Sequence, residues 1–378
     1  MSVALDDTDK QKIFHDDAVA MGLTFEPPNV NTGGYRFEPV SQQAVRYGLG
    51  AIKGTGQGAI EAIVAAREAG GAFSSLFDFC ARVDRSRINK RTVEALVKAG
   101  AFDVFGVERA SLIASIALAF DFADTQAAHA DQGGLFDFGA DDDDQHAAST
   151  QEPELVAAEP WSIRERLLFE KAALGFYLSG HMFDQSADEV RQFARRCNAD
   201  VLDSREPQLL AGIVSDLRVI NGQRGRVAIF KLDDKSEPLE AVANEDLLNA
   251  NKDLLKDDEL IIVQGKLQPD RFSGGLRLTV QAVWDLPAAR CRFGKYLRVE
   301  VNGSVPPVAE VLRSHPARRI ATEHGDLPQG LCVRLLLQRD HATGELDLGE
   351  AARFYPSDAA LECWRQSAHD GRARVVYE

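Results

Sequence analysis

No Cys-x-x-Cys pair occurs in this chain, and its five cysteines (Cys80, Cys197, Cys291, Cys332, Cys363) are odd in number and far apart. That pattern argues against a zinc ribbon, a thioredoxin-type site and a disulfide framework, and makes a reduced, cytoplasmic protein the expectation. No apolar run is long enough to span a bilayer. The opening MSVALDDTDK has no basic start followed by an apolar stretch, so it does not read as a secretory signal. Neither a phosphate-cradling Walker loop nor a His-Glu-x-x-His zinc motif is present, and the eight histidines are scattered. Ser179 and His181 stand too close along the chain to read as a nucleophile and its base. No catalytic residue, metal site or cofactor is expected from these features.

What is present is enough for several domains. With 378 residues, 45% of them apolar, the chain should divide into two to four packed units. The net charge of −15 would ordinarily argue against a nucleic-acid partner, but it is unevenly placed. Nine Lys/Arg against five Asp/Glu fall between residues 46 and 98, whereas residues 121–160 carry eleven Asp/Glu and no Lys or Arg. A basic module is followed by an acidic tether.

Pattern along the chain gives the architecture. Helices are expected near residues 10–21, 109–122 and after Asn89, which is placed to cap a helix carrying Val93, Leu96 and Val97 on one face. Ser162 and Glu165 have the spacing of a capping box. Residues 123–160 read as a solvated linker. From residue 209 the period changes to that of short strands, at 209–220, 226–232, 239–243, 260–267 and 276–284, which fits a small OB-type barrel. After Pro287, strands at 296–301 and 331–337 alternate with helices at 308–314 and 358–366. The expected fold is multidomain α+β: an end-of-fingers-like region (1–44), a helix-hairpin-helix module (45–122), an acidic linker (123–160), a helical connector (161–207), an OB barrel (208–287) and a small α+β domain (288–378).

The sharpest chemical signal is Lys53-Gly54-Thr55-Gly56-Gln57-Gly58. A tight glycine turn opening a helix leaves backbone N–H groups unpaired at the positive end of the helix dipole, which binds phosphate without reading sequence. Arg82, Arg85, Arg87, Lys90 and Arg91 add charge nearby. Glycine caps on an ordinary helix turn are the plainer explanation. A second signal is Gln132-Gly133-Gly134-Leu135-Phe136, an apolar pair in the acidic tether; it suits a partner's pocket, or else folds back on a neighbouring domain. In the barrel, Arg218, Arg224, Arg226 and Lys231 with Phe230 offer a single-strand face, although Phe230 fits equally well in the core. The acidic run 141–144 has no preceding apolar strand to fix carboxylates for a metal.

The strings VRYGLGAIKGTGQGAIEAI, INKRTVEALVKAGAFD, QGGLF and ERLLFEKAALGFYLSGH closely resemble the bacterial replicative DNA polymerase III alpha subunit, in the order of its C-terminal region. The resemblance covers nearly the whole chain, is specific up to about His181 and is weakest after Pro287. It implies that Lys53, Gly54 and Gly56 contact duplex product, and that Gln132, Leu135 and Phe136 enter a cleft of the sliding clamp. It also places the barrel near single-stranded template and residues 293–378 against the clamp-loader tau subunit. One departure is local: Met182-Phe183 stand where the family usually has Pro-Leu.

The family's PHP domain and metal-binding palm carboxylates precede the region that resembles this chain. Two-metal nucleotidyl transfer needs such a fixed carboxylate pair. The expectation is therefore a piece of a longer subunit, a late-starting reading frame or a truncation that does not polymerise by itself. Its DNA-binding residues would be Lys53, Gly54, Thr55, Gly56, Gly58, Arg85, Arg87, Lys90 and Arg91. A free-standing DNA-binding adaptor is the alternative from another class, and a metal nuclease using the acidic run is a distant third.

Overall fold

A computed structural model describes residues 1–3, 5, 7–133, 151–222, 225–270, 274–302, 308–322, 325–339 and 341–377. Two compact units are formed, Met1–His181 and Met182–Glu378.

The first unit is mostly helical. Helix α1 (Thr8–Ala20) is capped by the Asp7 carboxylate and ends before Gly22. Three short strands, β1 (Thr24–Glu26), β2 (Glu38–Pro39) and β3 (Ala44–Arg46), make a small sheet in the order β1-β3-β2. Helices α2 (Gln57–Gly70), α3 (Leu76–Arg82), α4 (Lys90–Lys98), α5 (Arg109–Gly133) and α6 (Ile163–Leu174) follow. Asn89 caps α4 through the Thr92 N–H, and Ser162 and Glu165 form the reciprocal capping box of α6. Both caps stand where the sequence placed them.

One hydrophobic core joins Val30, Tyr47, Ile60, Phe79, Leu96, Phe102, Leu112 and Leu174. It crosses the boundaries expected at residues 44 and 122, because the turn-rich Pro27–Asn31 stretch is knitted into the helical module. Asn31 accepts from the Phe73 N–H at 2.7 Å and donates to the Phe73 carbonyl at 2.9 Å. Arg67 of α2 donates to the carbonyls of Val30 and Gly33.

The expected linker differs most. Helix α5 runs on to Gly133, and residues 151–160 lie along it as a strap. The buried Ser115 hydroxyl donates to the Ser111 carbonyl and accepts the Val156 N–H at 2.8 Å, while Ser111 Oγ accepts from Ala158. Leu155 packs on the core and Glu152 accepts a hydrogen bond from Ser75. Composition alone hid this, because two serines on one helix face satisfy the strap's backbone, and one leucine suffices to anchor it.

The second unit holds a closed barrel of β4 (Ser204–Gly222), β5 (Gly225–Asp233), β6 (Leu239–Ala243), β7 (Leu260–Pro269) and β8 (Leu276–Trp284), in the order β4-β5-β6-β8-β7. Strands β6 and β8 have the bounds expected from the sequence. A short helix α7 (Ala187–Val190) precedes the barrel, and another, α8 (Glu245–Ala250), capped by Asn244, occupies the polar insertion. Beyond α9 (Leu286–Phe293), a sheet ordered β13-β12-β9-β14 is built from β9 (Gly294–Val301), β12 (Cys332–Arg339), β13 (Ala342–Asp347) and β14 (Ala373–Tyr377). Helices α10 (Val308–Ser314) and α11 (Asp358–Ser367) cover one face, burying Trp364 against Leu297, Val299, Val333 and Leu335. A separate hairpin pairs β10 (Arg318–Thr322) with β11 (Gly325–Gln329).

Candidate nucleic-acid interface

The glycine turn is rigid from behind and open in front. Thr55 shares its hydroxyl proton between the carbonyls of Leu49 and Ile52, at 2.8 and 2.7 Å. The Lys53 N–H donates to the Ala173 carbonyl of α6 at 2.8 Å. Gly54 has φ +85°, a left-handed conformation that favours glycine. Gly56 is the N-cap of α2 and, as a glycine, gives that helix end no side-chain cap. A Cβ added at Gly56 would meet nothing within 4 Å, so the space before the first N–H groups of α2 is open.

Cationic side chains gather beside this opening. Arg87, exposed, brings Nη1 to 3.6 Å from the Cβ position of Gly58. Ala95 of α4 lies 4.0 Å from the Cβ position of Gly54. Arg91, exposed, stands one helical turn before Ala95 on the same face. Lys53 is exposed within the turn itself. Thus Lys53, Gly54, Thr55, Gly56, Gly58, Arg87 and Arg91 belong to one surface.

Arg85 and Lys90 have other engagements. Arg85 donates to the Phe120 carbonyl, pairs with Asp124 at 3.1 Å and lies 4.2 Å over the Phe120 ring. Lys90 is 4.0 Å from Asp121. Arg82 is taken up by Asp78 and by the carbonyls of Ala66 and Gly71. Sequence clustering could not separate Arg85 and Lys90 from Arg87 and Arg91, because α5 comes from a later part of the chain.

The barrel requires a correction. Phe230, expected among single-strand contacts, is 1% exposed and sits in the barrel core with Ala228 and Leu232. The alternation of β5 turns these three inward and Val227, Ile229 and Lys231 outward. Arg226 is held by Glu245 at 3.0 Å and by Asn249, and Lys231 by Asp216 at 2.8 Å. Arg218 is exposed. Arg224 lies outside the described residues. Among the described residues, the outward positions of β5 and β6 carry no aromatic side chain.

Gln132 falls in the last turn of α5, and Leu135, Phe136 and the acidic run 141–144 lie outside the described residues. Their flanks are informative: α5 on one side and the strap on the other both belong to the first unit.

A glycine-capped hairpin with flanking arginines and a closed five-stranded barrel make this a protein built from two known modules. A helix-hairpin-helix motif family matches residues 22–112, and an OB-fold nucleic acid binding domain family matches residues 209–286. Over 363 residues, 95% of this chain, 39% are identical to the DNA polymerase III subunit alpha of Neisseria meningitidis serogroup B. The subunits of Vibrio cholerae and Escherichia coli K12 are 35% and 34% identical over 97% and 96% of the chain. Nearly the whole chain is therefore similar to a C-terminal portion of DNA polymerase III alpha subunits. It spans about 30% of the length of these relatives.

Proposed function

We propose that this chain serves DNA replication by gripping duplex DNA through the α2 hairpin and by presenting Gln132, Leu135 and Phe136 to a sliding clamp. The supporting observation is the open N-terminus of α2, capped only by Gly56 and flanked by Arg87 and Lys53. Such a site takes phosphate oxygens on backbone N–H groups and guanidinium, which positions a duplex without selecting its sequence. Nucleotidyl transfer is a proposal for a full-length subunit; the relatives carrying the polymerase name are about three times as long.

In sequence the peptide falls between α5 and the strap, both in the first unit, so a clamp bound there stays close to the hairpin. Tethering raises the effective concentration of each contact once the other is made, which is the physical source of processivity. The acidic residues around the peptide would keep it off DNA and available to protein. Contact of residues 293–378 with a clamp-loader tau subunit, and of the barrel with template strand, completes the reading.

The test is binding of the purified chain to the cognate clamp. Leu135→Ala with Phe136→Ala should abolish it and leave duplex affinity nearly unchanged. Equal loss of both would show that the two contacts are not separate.

A further inference from the structure

Arg298 is the centre of a row of three arginines drawn from distant parts of the chain. In the sheet β13-β12-β9-β14, Arg334 is the registered neighbour of Arg298 in the parallel pair β12/β9. Arg374 stands directly opposite Arg298 in the antiparallel pair β14/β9. Registered partners project to the same face, and adjacent strands are about 4.8 Å apart, so three guanidinium stems leave the sheet side by side. This is the face away from α10 and α11, since Leu297, Val299, Val333, Leu335 and Val375 alternate to the covered side.

The charges in this row are incompletely matched. Glu345 and Asp347 both stand 3.5 Å from Arg334, and Glu300 is 3.9 Å from Arg298 and 3.3 Å from Arg372. Arg298 Nε is buried with no hydrogen-bond partner. Arg374 is exposed and forms no ion pair among the described residues. Like charges directly opposite one another destabilise a sheet, and an orphaned buried donor costs further. An anion placed over Arg298 and Arg374 would relieve the repulsion between the opposed charges. Beside them the Arg334 guanidinium lies 4.0 Å over the Tyr296 ring, which forms a flat cation–aromatic platform.

We propose that this face binds the backbone of a single nucleic-acid strand, with Arg298 and Arg374 on phosphates and the Arg334–Tyr296 pair offering a stacking surface to a base. The platform favours a nucleic acid over an acidic peptide, and a single strand over a duplex, because only unpaired bases present their faces for stacking. The site is distinct from the α2 hairpin and does not depend on it.

The experiment is anisotropy of a labelled oligothymidylate with the whole chain at several salt concentrations. It is run in a Lys53→Gln, Arg87→Gln background that weakens the hairpin. Arg298→Gln with Arg374→Gln should weaken binding at low salt by about tenfold or more. The slope of log K against log salt should fall by about 1.4, for two lost phosphate contacts on a single strand. The unfolding midpoint should be unchanged or higher, because the opposed charges are gone. Arg374→Gln alone, at an exposed position, should give part of the loss should the double variant fold poorly. Absence of oligothymidylate binding in the background, or an unchanged affinity and slope in the variants, overturns the proposal. So does loss of binding to polyglutamate with oligothymidylate binding intact, which would assign the row to an acidic protein segment.

Discussion

Glu170 and Arg109 hold each other inside the first unit, at 2.9 Å, with Glu170 only 1% exposed. The second oxygen of Glu170 accepts the N–H groups of Leu178 and Ser179, at 3.2 and 3.0 Å. Arg109 also donates to both oxygens of Asp103. Burial works against the Arg109 charge, but Asp103 and Glu170 more than offset it and hold its pKa above the ordinary value. One turn after Glu170, the Ala173 carbonyl receives the Lys53 N–H. The interior ion pair therefore fixes the helix on which the glycine turn rests.

Glu170→Ala should cost about 3 kcal/mol of unfolding free energy, the usual cost of stranding one member of a buried pair. Urea unfolding measures it. A loss under about 1 kcal/mol would mean that Asp103 alone compensates Arg109. Glu170→Gln should lie between, since its carbonyl oxygen still accepts from Leu178 and Ser179.

Gly56 separates helix stability from DNA affinity. At φ −82° with open space around its Cβ position, it accepts a side chain without strain. Aspartate is a better N-cap than glycine by a few tenths of a kcal/mol, yet it puts a carboxylate where a phosphate should sit. Gly56→Asp should therefore hold or raise the unfolding midpoint while lowering duplex affinity. Gly56→Asn, isosteric and neutral, should lose less. Equal, unchanged affinity in both, read by duplex anisotropy, would remove the α2 N-terminus from the DNA surface.

How much of this was legible follows from the range of each signal. Asn89, Ser162 and Glu165 act on backbone groups within three residues, so the sequence revealed both caps. Barrel strands β6 and β8 alternate inside and outside, and that period sets their bounds. The glycine turn was legible because its chemistry lies in the backbone. By contrast, whether Arg85 meets a phosphate or the Phe120 carbonyl depends on a helix 35 residues away in sequence. The row of Arg298, Arg334 and Arg374 exists only through strand register, which local pattern does not specify. Residues 151–160 read as linker because their anchors are two serines on α5, outside the acidic segment, and a single leucine within it.

Phe230 gives a test of the corrected barrel. Removing a fully buried phenylalanine side chain costs about 3–5 kcal/mol. Phe230→Ala should therefore lower the stability of the barrel without a specific effect on single-strand binding at temperatures where it remains folded. A selective loss of oligonucleotide affinity with unchanged stability would return Phe230 to the surface role first expected of it.

In the second unit, acid sensitivity should centre on Glu189 and Arg290. Arg290, 2% exposed, meets both Glu189 oxygens at 2.8 and 2.7 Å and also bonds Asp358 and the Pro356 carbonyl. Burial pushes the Glu189 carboxyl up, but the Arg290 hydrogen bonds and charge, with the Tyr377 hydroxyl, bring it below the ordinary value. In the unfolded chain a glutamate titrates near about 4.3. Below that pH the unfolded state takes up the proton first, so the stabilisation present at neutral pH is lost as pH falls through the lower, folded value. Asp234 contributes in the same direction: burial raises it, but Ser236, Asn198 and Arg191 hold it down. Glu189→Gln should lower the unfolding midpoint at pH 7, because Arg290 loses a charged partner. It should also flatten the decline between neutral pH and pH 3, leaving the part due to Asp234. Thermal unfolding across that range decides the matter, and an equally steep acid limb in the variant would place the sensitivity elsewhere.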